Sequence, residues 1–260
     1  MDKVKVVVPI YTERLEGREL LSFRHNAEVL RRYPMVIVAP EGLNVDAVVA
    51  EAPHCEVVRV TSEWLGRNGI AGYNRMMLSR EFYALFEVCE YILVCQPDAW
   101  IFRDELEQWC DKGFDYIGAP WPKRKVYGLP LIKQFLWLRK KMLARPGRLM
   151  RQDYFNKVGN GGLSLRRIDS FIKACDRYQH NIEEFKQNRG TLWNEDWFWA
   201  LMPKEFRYPT FDEALGFSFD VHPALCHKLA KGVLPMGCHG WFKKRNLPFW
   251  QGIIEGEQQK

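Results

Sequence analysis

The sequence predicts an α/β protein with a mostly parallel central sheet flanked by helices, and three observations carry that expectation. Strand and helix signals alternate through the first half of the chain, the pattern of parallel strands joined by helical crossovers. Residues 91–95, Tyr-Ile-Leu-Val-Cys, have the length and apolar character of a strand covered on both faces. Directly after them Pro97 removes a backbone donor, so Gln96 and Asp98 are presented just past the strand's carboxyl end, where open α/β sheets bind ligands.

Taken in order, the signals predict strand at 4–10, helix at 19–32, strand at 35–39, a short helix at 45–50, strand at 56–60 and a longer helix at 71–88 before the strand at 91–95. Asp104 reads as a helix N-cap with Glu107 at N3, a capping box opening a helix at 105–110. A further strand is expected at 163–165.

The chain has 260 residues, 47% hydrophobic and 27% charged, which suits one folded domain with a sizeable core spanning 1–260. No apolar run reaches the length of a bilayer span, and the Met-Asp-Lys-Val start lacks a secretory pattern, so a cytoplasmic location is expected. Seven cysteines form no CxxC pair and lie mostly in apolar segments, which predicts reduced, buried thiols.

Charge is distributed unevenly. Between 123 and 151 there are ten Lys or Arg and no Asp or Glu, so this segment carries +10 against +6 for the whole chain, leaving −4 for the rest. Within this basic insertion Leu131, Phe135, Leu138 and Met142, flanked by Ile132, Leu136 and Leu143, fall on one helical face, and Lys133, Lys140 and Lys141 on the other. A membrane-surface helix, a nucleic-acid patch and a core helix with a solvated face all match such a pattern. Nucleic acid is set aside as a partner because the aromatics sit among the aliphatics and not among the charges.

Several short stretches carry candidate chemistry. The turn Pro9-Ile-Tyr-Thr-Glu-Arg14 offers Tyr11 and Arg14 for a base and a phosphate, or is an ordinary exposed loop. No Gly-rich fingerprint follows the first strand, which argues against a dinucleotide coenzyme. Asp98 is a hard oxygen ligand for Mg²⁺ or Mn²⁺, or a turn residue capping local amides. Gly159-Asn-Gly-Gly162 permits close approach of a ligand, or simply a tight turn. In Trp193-Asn-Glu-Asp-Trp-Phe-Trp199 two carboxylates sit among three indoles; Asp196 is either a helix cap or a general base beside a substrate, and sugar rings stack well on Trp193 and Trp197. His239 is a ligand or a structural imidazole.

Together Asn74-Arg75, Gln96-Pro-Asp98, Gly159–Gly162, Asn194-Glu-Asp196 and Gly237-Cys-His239 give the chain its resemblance to a GT-A, Rossmann-like glycosyltransferase. Nearest is an uncharacterised glycosyltransferase-like family of unknown function, matched over nearly the whole chain. More distantly the order of motifs is similar to that of β-1,4-galactosyltransferases. The resemblance implies that Asp98 and His239 hold Mn²⁺ or Mg²⁺, that Arg75 meets the nucleotide, and that Asp196 is the base, with Glu195 its neighbour in the catalytic pair. Pro9, Tyr11, Arg14, Asn74, Gln96, Gly161 and Gly162 complete the expected nucleotide-sugar site. Gln96 stands where the family's first acid should be, which weakens the metal site by one charge and puts metal dependence in question.

The implied activity is transfer of a hexose from a UDP-sugar to a glycan acceptor with inversion. That acceptor could be a lipid-linked precursor of a cell-surface polysaccharide, with Lys133, Lys140, Lys141, Trp193 and Trp197 facing the acceptor or an anionic inner-membrane surface. Two alternatives are a non-catalytic sugar- or nucleotide-binding protein on the same fold and a basic membrane-docking adaptor.

Overall fold

The computed structural model describes residues 2–143, 149–188 and 190–257. Its main sheet has six strands in the order β3-β2-β1-β4-β9-β6: β1 Asp2–Pro9, β2 Met35–Pro40, β3 Glu56–Val60, β4 Cys89–Cys95, β9 Leu163–Arg167 and β6 Tyr116–Ile117. The first four are parallel, while β9 runs antiparallel to β4 and to β6. This is the mostly parallel sheet expected from the alternating first half. β2 is buried along its whole length and β4 along nearly all of it, which is why they read as continuous apolar runs and not as alternation.

A second sheet of three short strands, β10 (Ser218–Phe219), β11 (Gly237–His239) and β5 (Ala99–Ile101), stands beyond the carboxyl end of β4, and β7 (Ala119–Pro120) pairs with β8 (Val158–Gly159). β11 is antiparallel to β5 with His239 opposite Ala99, and this register carries His239 back to Asp98. All seven cysteines are free thiols, six of them buried. No helix among the described residues is long and apolar enough to cross a membrane.

Element boundaries depart from the expected ones at three places. The helix expected over 71–88 is two, Gly69–Met77 and Arg80–Ala84, because Ser79 leaves the helical region and its hydroxyl accepts the Phe82 amide at 3.2 Å as the second N-cap. The capping box at Asp104 does not form. The helix runs Leu106–Asp111 with Glu105 at its N-cap, and Asp104 accepts instead from the Tyr33 hydroxyl at 2.8 Å and pairs with Arg32 at 2.6 Å. Finally, Asp196 is no cap: the helix Glu195–Leu201 is entered through Asn194.

Among the described residues of the basic insertion one α-helix forms, Pro130–Leu143, and none of its side chains is fully buried. Its apolar residues divide into two stripes: Ile132, Leu136 and Leu143 are half-buried, whereas Leu131, Phe135, Leu138 and Met142 face outward.

Candidate active site

Past the carboxyl ends of β1 and β4 lies a cavity of about 370 Å³ whose wall includes Pro9, Tyr11, Tyr73, Gln96, Asp98 and Lys243. Its position follows from topology, since the chain leaves both strands there before crossing over. Tyr11 is exposed at the mouth, free to lie against a planar ring. Tyr73 is anchored by its hydroxyl, which donates to the Gly161 carbonyl at 3.0 Å; burial, and next the nearby Glu195, push its pKa up, so it stays a neutral phenol.

Asp98 sits at the centre of a short chain of charges. One carboxylate oxygen is 3.0 Å from His239 Nε2 and the other 3.0 Å from Lys243 Nζ. The opposite imidazole nitrogen, Nδ1, meets Asp220 at 3.2 Å, and the Gln96 amide oxygen is 3.2 Å from Nε2. Burial works to raise the Asp98 pKa, but His239 and then Lys243 outweigh it and hold the carboxyl well below its usual range. Burial likewise works against the imidazolium, yet Asp98 and then Asp220 raise His239 to about 9.

A divalent ion held partly by its substrate would meet Asp98, His239 and Gln96 here, and to bind it His239 Nε2 would have to give up the proton that Asp98 favours. One carboxylate, one imidazole nitrogen and one amide oxygen converge beside Nε2, with Asp220 fixing the imidazole from behind as carboxylates do for metal-bound histidines. Among the described residues no group of three His, Cys, Asp or Glu side chains forms a site by itself, so phosphate oxygens would have to complete the shell.

The glycine stretch brings protein groups together. A Cβ at Gly162 would run into the His239 imidazole, and one at Gly161 into the Glu195 carboxylate. The close approach at these glycines is therefore to the side chains of His239 and Glu195, which the absent Cβ atoms let pack against the backbone.

Glu195 is not a catalytic partner of Asp196. It is buried and clamped by Arg166, whose two terminal nitrogens reach its oxygens at 3.0 and 3.1 Å, with Tyr83 hydroxyl 2.8 Å from the same guanidinium. A fully buried arginine demands such a partner, which gives Glu195 a structural role. Asn74 is tied into the same junction: its amide donates to Asn194 at 3.1 Å and its carbonyl accepts from the Glu195 amide at 3.2 Å.

Asp196, one residue on, points elsewhere. It lines a second cavity of about 450 Å³ together with Trp121, Tyr154, Trp197, Asp220 and Arg245. Burial, then the negative charges of Glu195 and Asp220, raise its pKa to about 7, while the Trp197 amide donates to it at 2.9 Å. A carboxyl poised near neutrality beside an aromatic cleft has the properties of a general base. Asp220 lines this cleft and bonds His239, whose other ring nitrogen meets Asp98 in the wall of the first cavity.

Of the other predicted residues, Arg75 and Trp193 line a neighbouring cavity of about 540 Å³ with Arg67 and Asn74. Arg14 is exposed on its loop and stands outside all three cavities. Lys133, Lys140 and Lys141 are exposed on the Pro130–Leu143 helix, with Lys140 paired to Asp153 at 2.6 Å. Sequence reasoning missed Tyr73, Arg166, Asp220 and Lys243. Only Lys243 left a signal, four residues after His239; Asp220 and Arg166 sit in apolar strand-like surroundings that gave no sign of their partners.

Residues 54–239 match a family described as proteins of unknown function, DUF5672. No functionally curated protein sequence matches at a significant level. Among solved structures the chain is similar to mouse xyloside xylosyltransferase 1 in its apo form, with TM-score 0.52 and 12% identity over 92% of this chain and 97% of that one. It is also similar to an active-site mutant of LgtC, with TM-score 0.58 and 12% identity over 96% and 94% of the two chains. A complex of the galactosyltransferase LgtC with donor and acceptor sugar analogues gives TM-score 0.56, again at 12% identity over 96% and 94%. The fold is that of GT-A glycosyltransferases.

Proposed function

Because the chain belongs to the DUF5672 family, whose function is unknown, its activity has to be argued from the site, and we propose that the protein is a hexosyltransferase that moves a sugar from a UDP-sugar to a glycan acceptor with inversion. The observation that carries this reading is a pair of cavities linked through the Asp98–His239–Asp220 chain, one lined by Asp98 and Lys243 and the other by the Asp196 carboxylate among aromatic rings. The GT-A fold supports it, as does the binding of donor and acceptor analogues by LgtC on a similar fold.

In this reading Tyr11 lies against the base at the cavity mouth, and Gln96 hydrogen-bonds a ribose hydroxyl. Lys243 and the His239 imidazole face the diphosphate, whose charge grows as the bond to the anomeric carbon breaks. Asp98 and His239 would hold a divalent ion, Mn²⁺ or Mg²⁺, which would supply further neutralisation of that leaving group. Across the junction, rings of the acceptor stack on Trp121 and Trp197, and Asp196 takes the proton of the attacking hydroxyl. That oxygen then bonds the anomeric carbon from the face opposite the departing UDP. The acceptor we assign is a glycan, carried on a lipid-linked precursor of a cell-surface polysaccharide; the run of bases that leads out of the cleft at Arg124 supports the lipid carrier.

The test is UDP release from a panel of UDP-sugars with mixed glycan acceptors, with and without Mn²⁺. Acceptor-dependent release from at least one donor is the expected result. Tight UDP-sugar binding with no release under any condition would replace the enzyme with a sugar-nucleotide-binding protein on the same fold.

A further inference from the structure

Among the described residues a row of exposed large apolar side chains lies outside these cavities. On the Pro130–Leu143 helix Leu131 is 82% exposed, Phe135 61%, Leu138 44% and Met142 76%, with Trp137 at 60%. The first four recur at the spacing of one helical stripe, while Ile132, Leu136 and Leu143 on an adjacent stripe turn toward the protein. A stripe of four large apolar side chains that the fold leaves uncovered is costly in water and marks a contact surface.

The charges around it identify the occupant. At about 100° per residue, Lys141 and Arg139 lie roughly 80° to either side of the stripe, bracketing it with bases. Exposed Lys123, Arg124 and Lys125 precede the helix, and between 123 and 151 there is no acid to offset them. The Lys141 ammonium stands over the Trp137 ring, 5.4 Å from its centroid, an arrangement suited to the boundary between headgroups and acyl chains. A second copy of the chain would bring two such basic segments together and be repelled. An anionic bilayer accepts apolar side chains below its headgroups and basic ones among them.

From this we infer that the Pro130–Leu143 helix docks the protein on an anionic phospholipid bilayer, with Leu131, Phe135, Leu138 and Met142 inserted and Arg139 and Lys141 at the headgroups. Arg124 and Tyr127 line the aromatic cleft only a few residues before the helix starts, so docking brings the cleft toward the membrane. The protein is then peripheral at the anionic inner leaflet, and an acceptor on a lipid carrier reaches Asp196 without leaving the bilayer. This last consequence rests on the proposed transferase activity; the docking itself does not.

Co-sedimentation with vesicles tests it without any substrate. Wild-type protein should partition onto an equal mixture of phosphatidylglycerol and phosphatidylcholine at least about tenfold more strongly than onto phosphatidylcholine alone, and less at high salt than at about 0.1 M. Phe135→Glu with Met142→Glu, and separately Arg139→Glu with Lys141→Glu, should each lower partitioning by about tenfold or more. All four positions are exposed, so far-UV circular dichroism and melting should match wild type. Absence of wild-type binding at low salt would overturn the inference, as would binding by both double variants that equals wild type. So would light scattering that shows a dimer in the absence of vesicles that Phe135→Glu dissociates, which would make the stripe a self-association surface.

Discussion

Replacing Asp196 by Asn should make the protein more stable and less active at once, and both effects can be sized from the site. The carboxyl is raised from 3.8 to about 7 by burial and by Glu195 and Asp220. A carboxyl whose folded pKa exceeds its unfolded value stabilises the fold below the unfolded value and loses that contribution as pH rises through the folded one. The loss therefore falls between pH 3.8 and about 7, and above that the folded protein holds a disfavoured charge. Three pKa units correspond to a ceiling of about 4 kcal/mol, which the partly exposed edge of the side chain reduces by screening. Asn keeps the shape and can still accept from the Trp197 amide, but carries no charge. Its melting temperature should match wild type near pH 4 and exceed it at pH 8 by up to about 8 °C, at roughly 2 °C per kcal/mol. Turnover should fall by about 10²-fold or more with little change in donor affinity, while wild-type turnover should rise about tenfold per pH unit up to about pH 7 and then level. The assays are melting by calorimetry across pH and UDP release. A stability difference that does not grow with pH would refute the strained carboxylate, and near-normal turnover would move the base to Asp220.

Three other substitutions probe the remaining parts of the site. Asp98→Ala should abolish Mn²⁺-dependent UDP binding in calorimetry without unfolding the protein; unchanged affinity in Mn²⁺ would remove Asp98 from the nucleotide site. Glu195→Gln should leave the Arg166 guanidinium buried without its counter-charge and cost about 3–5 kcal/mol in urea unfolding, and a cost below about 1 kcal/mol would show that the pair is not structural. Gly162→Ala should displace His239 and weaken UDP binding in Mn²⁺ by about tenfold or more, since the new methyl lands on the imidazole; wild-type affinity would mean the ring yields freely.

What the sequence disclosed and what it hid follow from the range of the interactions involved. The parallel half of the sheet was legible because each strand is a local apolar run, and β3 falls where the pattern put it, at Glu56–Val60. Asp98 was legible as a rim residue because the strand and Pro97 that present it are its neighbours in the chain. Of its partners, His239 was expected only through the family resemblance and Lys243 not at all, because both depend on the antiparallel register of β11 with β5, which spans more than 140 residues. The break at Ser79 was hidden for a smaller reason: a single serine inside an apolar helical pattern is tolerated as often as it caps, and only the 3.2 Å bond to Phe82 decides.

Glu195 and Asp196 show most clearly where sequence reasoning stops. As adjacent acids among tryptophans they look interchangeable, and both were expected to be catalytic. The helix turns them about 100° apart, and that angle separates their fates. Glu195 faces the sheet, where Arg166 on β9 supplies a guanidinium in the fork geometry that carboxylates fit, so it is held in a buried ion pair. Asp196 faces the cleft, where the charges that weigh most on it are the acids Glu195 and Asp220, so its proton is mobile near neutral pH. Arg166 on β9 thus decides which acid of the pair is held in the core and which is left to the cleft beside Asp220.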